Sequence, residues 1–198
     1  MENLLSRYPS LTNIKEDILK AKEMLINTYK NDGKVLVCGN GGSAADSEHI
    51  VGELMKGFML KRTVADERIP QKLRENLQGA LPAISLVSQS AILSAYINDV
   101  EPDMMYAQLV YGYGKGNDLL ICLSTSGNSK NTVKACEVAK SLGIKVLSFT
   151  GENESYLSKL SDCTIKVLET ETYKVQELHL PVYHYLCAEV EKYFFNEE

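Results

Sequence analysis

Gly39-Asn40-Gly41-Gly42-Ser43 follows the apolar run Lys34-Val35-Leu36-Val37-Cys38 and leads into a helix-forming stretch at 44–60. An apolar run this short, without strict alternation, reads as a strand buried on both faces. A Gly-rich turn from such a strand into a helix gathers backbone N–H groups and a helix N-terminus at one point, which suits phosphate or another anion. The helix behind the turn carries His49 and Glu53, four residues apart and therefore on one face. The turn matches neither GxGxxG nor GxxxxGK[ST], so no nucleotide cofactor is expected.

Four further apolar runs lie at 83–87, 119–123, 145–149 and 164–168, with helical stretches at 89–98, 102–113, 129–142 and 154–160 between them. Alternation of this kind implies an α/β fold: a five-stranded parallel sheet wrapped by helices on both sides. Ligands of such sheets bind at the carboxyl ends of the strands. Residues 1–32 read as a helical lead-in that Asn31-Asp32-Gly33 ends, with Gly33 as its left-handed cap. Residues 61–80 are polar and mixed in charge. They predict a surface excursion with a short helix around 71–77, either a solvated insertion or a lid or interface element. The last segment, 173–195, has helical spacing with Pro181 inside it, which predicts a kink. With no repeat or low-complexity tract, one domain over 1–198 is expected.

Composition narrows the setting. The chain has 198 residues, 44% hydrophobic and 24% charged, as in an ordinary globular protein. No apolar run approaches the roughly 18–20 residues that span a bilayer, and the N-terminus lacks the pattern of a signal peptide, so no membrane partner is expected. The five cysteines, Cys38, Cys122, Cys136, Cys163 and Cys187, are widely spaced with no CxxC pair. They read as small core residues in a reducing, cytoplasmic compartment. A net charge of −5 argues against non-specific nucleic-acid binding.

A second loop carries chemistry. Leu123-Ser124-Thr125-Ser126-Gly127-Asn128-Ser129 follows a buried strand and opens a helix. Its hydroxyls suit the oxygens of a phosphate monoester, beyond what one capping residue of a tight turn requires. His49 and Glu53 read as half of a zinc site, as a general acid/base pair, or as a solvent-facing helix pair. Gln176 and His184 are eight residues apart, about 80° around a helix, and could face one cavity or an ordinary surface. His179 lies on a neighbouring face and reads as a packing or supporting group. Asn98-Asp99 either bonds sugar hydroxyls or simply ends a helix.

Together these stretches resemble the SIS (sugar isomerase) domain family, in its phosphoheptose isomerase branch. The matching residues are Cys38-Gly-Asn-Gly-Gly-Ser43, His49-x-x-x-Glu53-Leu54, Asn98-Asp99, Leu123-Ser-Thr-Ser-Gly-Asn-Ser129, Phe149-Thr-Gly151, and Gln176-Glu-Leu-His179 with His184. The resemblance covers nearly the whole chain apart from 61–80. It implies a single SIS domain, a flavodoxin-like three-layer sandwich, and the isomerisation of sedoheptulose 7-phosphate to glycero-manno-heptose 7-phosphate. By that pattern Glu53 and His184 are the proton-transfer pair. Asn40, Gly41, Gly42, Asn98, Asp99 and Gln176 line the sugar, and Ser124, Thr125, Ser126 and Ser129 hold the phosphate. His49, Glu53, Gln176 and His184 match positions that bind zinc in some members. A homotetramer is implied, with sites at subunit interfaces and the final helix contributing across one of them. Two alternatives are a non-catalytic sugar-phosphate-binding protein of the replication-initiator-associating type and an isomerase or lyase of another sugar phosphate. A pure binder has no chemical reason to hold the four-residue set together. The chain departs from the pattern at Lys56, one place earlier than the family's basic residue and about 100° round the helix. It departs again at Tyr173, where the family has Asp, and the insertion at 61–80 is a third difference. These point to a changed sugar end of the pocket around an intact reaction centre.

Overall fold

A computed structural model describes residues 1–196. The strands are β1 (Val35–Gly39), β2 (Ala83–Ser85), β3 (Leu119–Leu123), β4 (Lys145–Thr150) and β5 (Cys163–Lys166), all parallel, in the order β2-β1-β3-β4-β5. Each expected apolar run supplies one strand, and the two-sided burial behind that reading is visible residue by residue. Val35 and Val37 of β1, with Leu119, Ile121 and Leu123 of β3, enter one core. Leu36, Cys38, Leu120 and Cys122 enter the core on the opposite face. Alternate side chains thus feed two covered faces, so apolar residues run without interruption.

One face is covered by α1 (Glu2–Arg7), α2 (Lys15–Lys30), α3 (Gly42–Met55) and α9 (Thr172–Phe195), whose buried residues join the first core. The other is covered chiefly by α6 (Met105–Tyr113), α7 (Lys130–Ser141) and α8 (Tyr156–Leu160), with α5 (Ser90–Asp99) beside them and the short α4 (Gln71–Arg74) outside the sheet. The lead-in is not one helix. Pro9 opens a 3-10 turn over Pro9–Ile14 that separates α1 from α2, since its ring cannot continue an α-helix. The left-handed residue after α2 is Asp32, at φ 55°, rather than Gly33. Gly33 is required for space instead: a Cβ there would sit 2.1 Å from the Asn117 carbonyl oxygen. α3 stops at Met55, earlier than its apolar pattern predicts, because Lys56 turns extended at φ −136°, ψ 171°. α9 runs on through Pro181 as a helix.

The excursion over 61–80 is tied into the body by Arg62, which is fully buried. Arg62 Nε donates to Glu191 Oε1 at 2.8 Å, Nη1 to the Leu54 carbonyl at 2.6 Å and Nη2 to the Glu53 carbonyl at 2.9 Å. The neck is closed by the Gly79 N–H donating to the Arg62 carbonyl at 2.8 Å. The segment is otherwise largely exposed, as a solvated insertion would be, with Arg62 as the buried anchor at its start.

The strand order reverses between β1 and β3, the point at which ligands of such sheets enter. Both glycine- and hydroxyl-bearing loops leave the sheet there, one after each strand.

Candidate active site

The loop after β3 is built to leave polar groups unspent. Ser129 stands at the N-cap of α7, yet its side chain makes no capping bond; its hydroxyl pairs with that of Ser124 at 3.0 Å. In the first turn of α7 the Thr132 N–H donates to the Asn131 amide oxygen at 2.9 Å, while the Lys130 and Asn131 N–H groups stand without a side-chain cap next to two hydroxyls. Gly127, at φ 64°, makes the bend, and the Ser155 hydroxyl would lie 2.1 Å from a Cβ there. Ser126 is exposed, its hydroxyl accepting from the Asn128 N–H, while the Thr125 carbonyl accepts from the Gly151 N–H. A simple capped turn would spend Ser129 on the helix. This loop spends it on Ser124, which leaves hydroxyls and helix-start N–H groups side by side, an arrangement of the kind that suits an anion.

The loop after β1 is more self-satisfied. The Ser43 N–H donates to the Asn40 carbonyl and the Ala44 N–H to the Gly41 carbonyl. Gly41 occupies φ 56°, ψ −121°, a region open to glycine. Asn40 and Asn131 exchange amide hydrogen bonds, each 2.9 Å, which clip the two loops together across the switch point. The Tyr106 hydroxyl adds a bond to the Gly39 carbonyl at 2.7 Å. Gln176 lies directly over Gly42: a Cβ there would come within 2.6 Å of the Gln176 amide nitrogen.

α3 and α9 lie side by side and parallel. Gly42 meets Gln176, Asp46 and His49 meet Tyr183, and His49 meets His184. His49 Nε2 lies 3.2 Å from Glu53 Oε1 and 3.4 Å from His184 Nε2. The Tyr183 hydroxyl donates to Asp46 Oδ1 at 3.0 Å, so its oxygen is left to accept from His49 Nδ1, also at 3.0 Å. In its neutral form His49 then holds its proton on Nδ1 and turns the lone pair of Nε2 toward Glu53 and His184. Glu53 Oε2 is buried with no hydrogen-bond partner, and Lys56 Nζ stands 3.5 Å from it. Burial, then the neighbouring His49 ring, push the His184 pKa down, while Glu53 opposes them, so His184 is neutral at neutral pH. Beside His184 opens a cleft of about 450 Å³ lined by Phe58, Leu180, Pro181 and Tyr185, with Arg7 and Tyr8 of the lead-in on its other wall.

Of the expected site residues, the fold brings His49, Glu53 and His184 together within one chain. Gln176 lies at the Gly42 end instead and is hydrogen-bonded to none of the three. Asn98 and Asp99 bond each other at the exposed end of α5, the Asn98 amide donating at 2.7 Å, and make no hydrogen bond to these loops. His179 is buried among packing groups: its Nε2 meets the Thr150 carbonyl at 3.2 Å and its ring packs edge-on to Phe149. Burial pulls its pKa down to about 4. Lys56 reaches the site after all. The 100° rotation expected of it presumes a helix that has already ended. Asp46, Tyr183 and Asn131 were not legible as site residues, though Asp46 stands three residues before His49 on the same helix face.

The donors suit zinc by type. Two imidazole nitrogens and a carboxylate oxygen are common ligands, and spacings of 3.2 and 3.4 Å are near the ~3.3 Å separating ligand atoms on a tetrahedron of ~2.0 Å bonds. The orphaned Glu53 Oε2 and the tautomer that Tyr183 sets on His49 also fit a cation. Among the described residues, no group of three or more His, Cys, Asp or Glu side chains converges on a single metal position.

The SIS domain family's sequence pattern matches residues 2–151. A phosphoheptose isomerase of Helicobacter pylori (strain Shi470) is 38% identical over 188 residues, covering 95% of this chain and 90% of that one. The structure of a phosphoheptose isomerase from Francisella tularensis superposes with a TM-score of 0.80 at 28% identity, covering 94% of this chain and 91% of that one. That of a phosphoheptose isomerase from Neisseria gonorrhoeae gives 0.79 at 27%, covering 96% and 94%.

Proposed function

The chain belongs to the SIS domain family, in its phosphoheptose isomerase branch, and from that premise we propose that it interconverts sedoheptulose 7-phosphate and D-glycero-D-manno-heptose 7-phosphate, an aldose–ketose isomerisation. The observation that carries this reading is the convergence of His49, Glu53 and His184, with acceptor atoms 3.2 and 3.4 Å apart. Such an isomerisation moves one proton between neighbouring carbons and one between their oxygens. Glu53 takes the C1 proton of the ketose. The C–H electron pair becomes the C1–C2 double bond, and the carbonyl oxygen takes a proton from His184. The reverse transfers, with the proton returned to C2 and O1 deprotonated, give the aldose. A neutral His184 ring can give a proton to one oxygen and take one back from the other, which serves both oxygen steps.

Ser124, Thr125, Ser126 and Ser129, with the start of α7, hold the phosphate. Asn40, Gly41, Gly42 and Gln176 flank the sugar chain, and Asn98 and Asp99 complete its far end. His49, Glu53 and His184 do not converge on one metal position as they stand, but they are the donors that would hold a zinc ion after a small shift, and zinc held there would polarise the substrate carbonyl. We assign the chain to a homotetramer, which the apolar exposure of α5 supports: none of its residues is buried, and Ile92, Ile97 and the adjoining Val100 are exposed. No described helix is long and apolar enough to cross a membrane, and the five unpaired cysteines support a cytoplasmic location.

The test is proton exchange in D₂O followed by NMR with sedoheptulose 7-phosphate, with and without added zinc. Loss of a C1 proton signal is expected in the wild-type protein. It should vanish in Glu53→Gln, which still binds the sugar phosphate. Binding without exchange in the wild type would replace the isomerase reading with that of a sugar-phosphate binder.

A further inference from the structure

The Arg62–Glu191 pair lies outside the site described above, yet it touches both halves of it. Both side chains are fully buried and meet at 2.8 Å. The Glu191 carboxylate accepts from three consecutive backbone N–H groups, those of Phe58 and Met59 at 2.7 Å each and of Leu60 at 3.1 Å. Arg62 spends its remaining donors on the last carbonyls of α3, at Glu53 and Leu54, and its guanidinium lies 4.9 Å over the Phe195 ring. A cation at a helix C-terminus answers the unpaired carbonyls and the negative end of the helix dipole.

The pair therefore holds two segments at once. Arg62 fixes the backbone of Glu53 itself. Glu191 fixes the segment 58–60, whose Phe58 ring packs against His184 with centroids 5.5 Å apart. Glu191 also lies seven residues after His184, on the same face of α9. A buried ion pair is costly to desolvate and is a weak source of stability compared with apolar packing. What this one supplies is geometry: it links the end of the helix carrying Glu53 to the helix carrying His184.

We propose that Arg62 and Glu191 are positioning residues that set the distance and orientation between Glu53 and His184. Arg62 acts through the Glu53 backbone, and Glu191 acts through Phe58. The proposal rests on the isomerase reading for its kinetic part only.

The experiment uses Arg62→Lys, which keeps the charge opposite Glu191 but cannot span both α3 carbonyls. Phe58→Leu is its companion; it leaves the ion pair untouched at a half-buried position. Steady-state kinetics are run well below the melting temperature and paired with NMR of the His49 and His184 ring nitrogens. In Arg62→Lys, kcat should fall about 10- to 100-fold, the effect of a small misplacement of reacting groups. KM should stay within about twofold, because the phosphate loop is remote from the pair. Phe58→Leu should lower kcat in the same direction and shift the His184 ring signals but not those of His179. Unchanged kcat and ring signals in folded variants would overturn the proposal. So would a loss of activity that merely tracks the unfolded fraction. Should Arg62→Lys fail to fold, Phe58→Leu decides by the same readouts. Should the wild-type protein show no turnover, the isomerase reading fails. The ring signals of His49 and His184 then still decide whether the pair positions them.

Discussion

Replacing Tyr183 with Phe removes one oxygen from a ring that is 2% exposed and leaves its packing in place. Two hydrogen bonds go with it: the one donated to Asp46 Oδ1 and the one accepted from His49 Nδ1, each 3.0 Å. A bond to a carboxylate contributes roughly 1.5–3 kcal/mol and a neutral one roughly 1 kcal/mol. Asp46 is only half-buried and His49 is exposed, so water replaces much of what is lost, and the net destabilisation should be about 1–2 kcal/mol. The functional effect is separate. Without Tyr183 to receive it, the His49 proton is free to move to Nε2, where it faces Glu53 and His184 and occupies the acceptor that the site presents. A loss of about 1.4 kcal/mol of tautomer preference corresponds to a roughly tenfold lower rate. Denaturant unfolding measures the first effect. The second is read by exchange of the ketose C1 proton together with two-bond ¹H–¹⁵N correlation of the His49 ring. If His49 keeps its Nδ1 proton in Tyr183→Phe and turnover is unchanged, the tautomer reasoning is wrong.

Two further substitutions and conditions follow from the same geometry. Ser124→Ala with Ser126→Ala should weaken phosphate-bearing ligands about 10- to 100-fold, seen as a raised KM with kcat nearly unchanged, since charge-assisted bonds to phosphate are the stronger class. An unchanged KM would make the 124–129 loop structural. Although burial opposes it, the N–H groups of Phe58 and Met59 and the Arg62 guanidinium carry the Glu191 pKa below its ordinary value. A carboxylate lowered on folding stabilises the protein above its unfolded pKa, and that contribution is lost as pH falls through the folded one. Stability should therefore decline below about pH 4.5, and Glu191→Gln should flatten that decline. An equal slope in both proteins, measured by denaturant titration, would remove Glu191 from the account.

The sheet and both of its loops could be read from sequence because strands buried on two faces print themselves as short apolar runs, and loops at their ends as Gly and Ser clusters. His49, Glu53 and His184 were legible for a related reason: unusual residue types at helical spacing stand out. Arg62 was not, because a lone Arg in a polar stretch looks solvated until its partner is known, and that partner is 129 residues away. Tyr183 and Asp46 were hidden in the same way, each an ordinary residue for its helix until α3 and α9 are laid side by side. Lys56 was misplaced because the end of α3 depends on tertiary contacts, with Arg62 taking the last carbonyls. Asn131 escaped notice because an Asn in the first turn of a helix reads as local, whereas here its amide reaches across to Asn40.

The parallel pairing of α3 and α9 also makes the groove a ruler. The phosphate loop and the start of α3 share the carboxyl edge of the sheet, and His49 lies seven residues further along α3, roughly 10 Å at 1.5 Å per residue. A phosphate anchored at one end and a carbonyl held at the other are kept apart by a fixed length of helix. Each carbon removed from an extended sugar chain shortens its reach by roughly 1.2 Å, the advance per bond of an extended backbone. On the proposed function, chain length is then measured by a rigid element rather than by a contact at every hydroxyl, and a shorter ketose phosphate should show a lower kcat/KM than a seven-carbon one in steady-state assays.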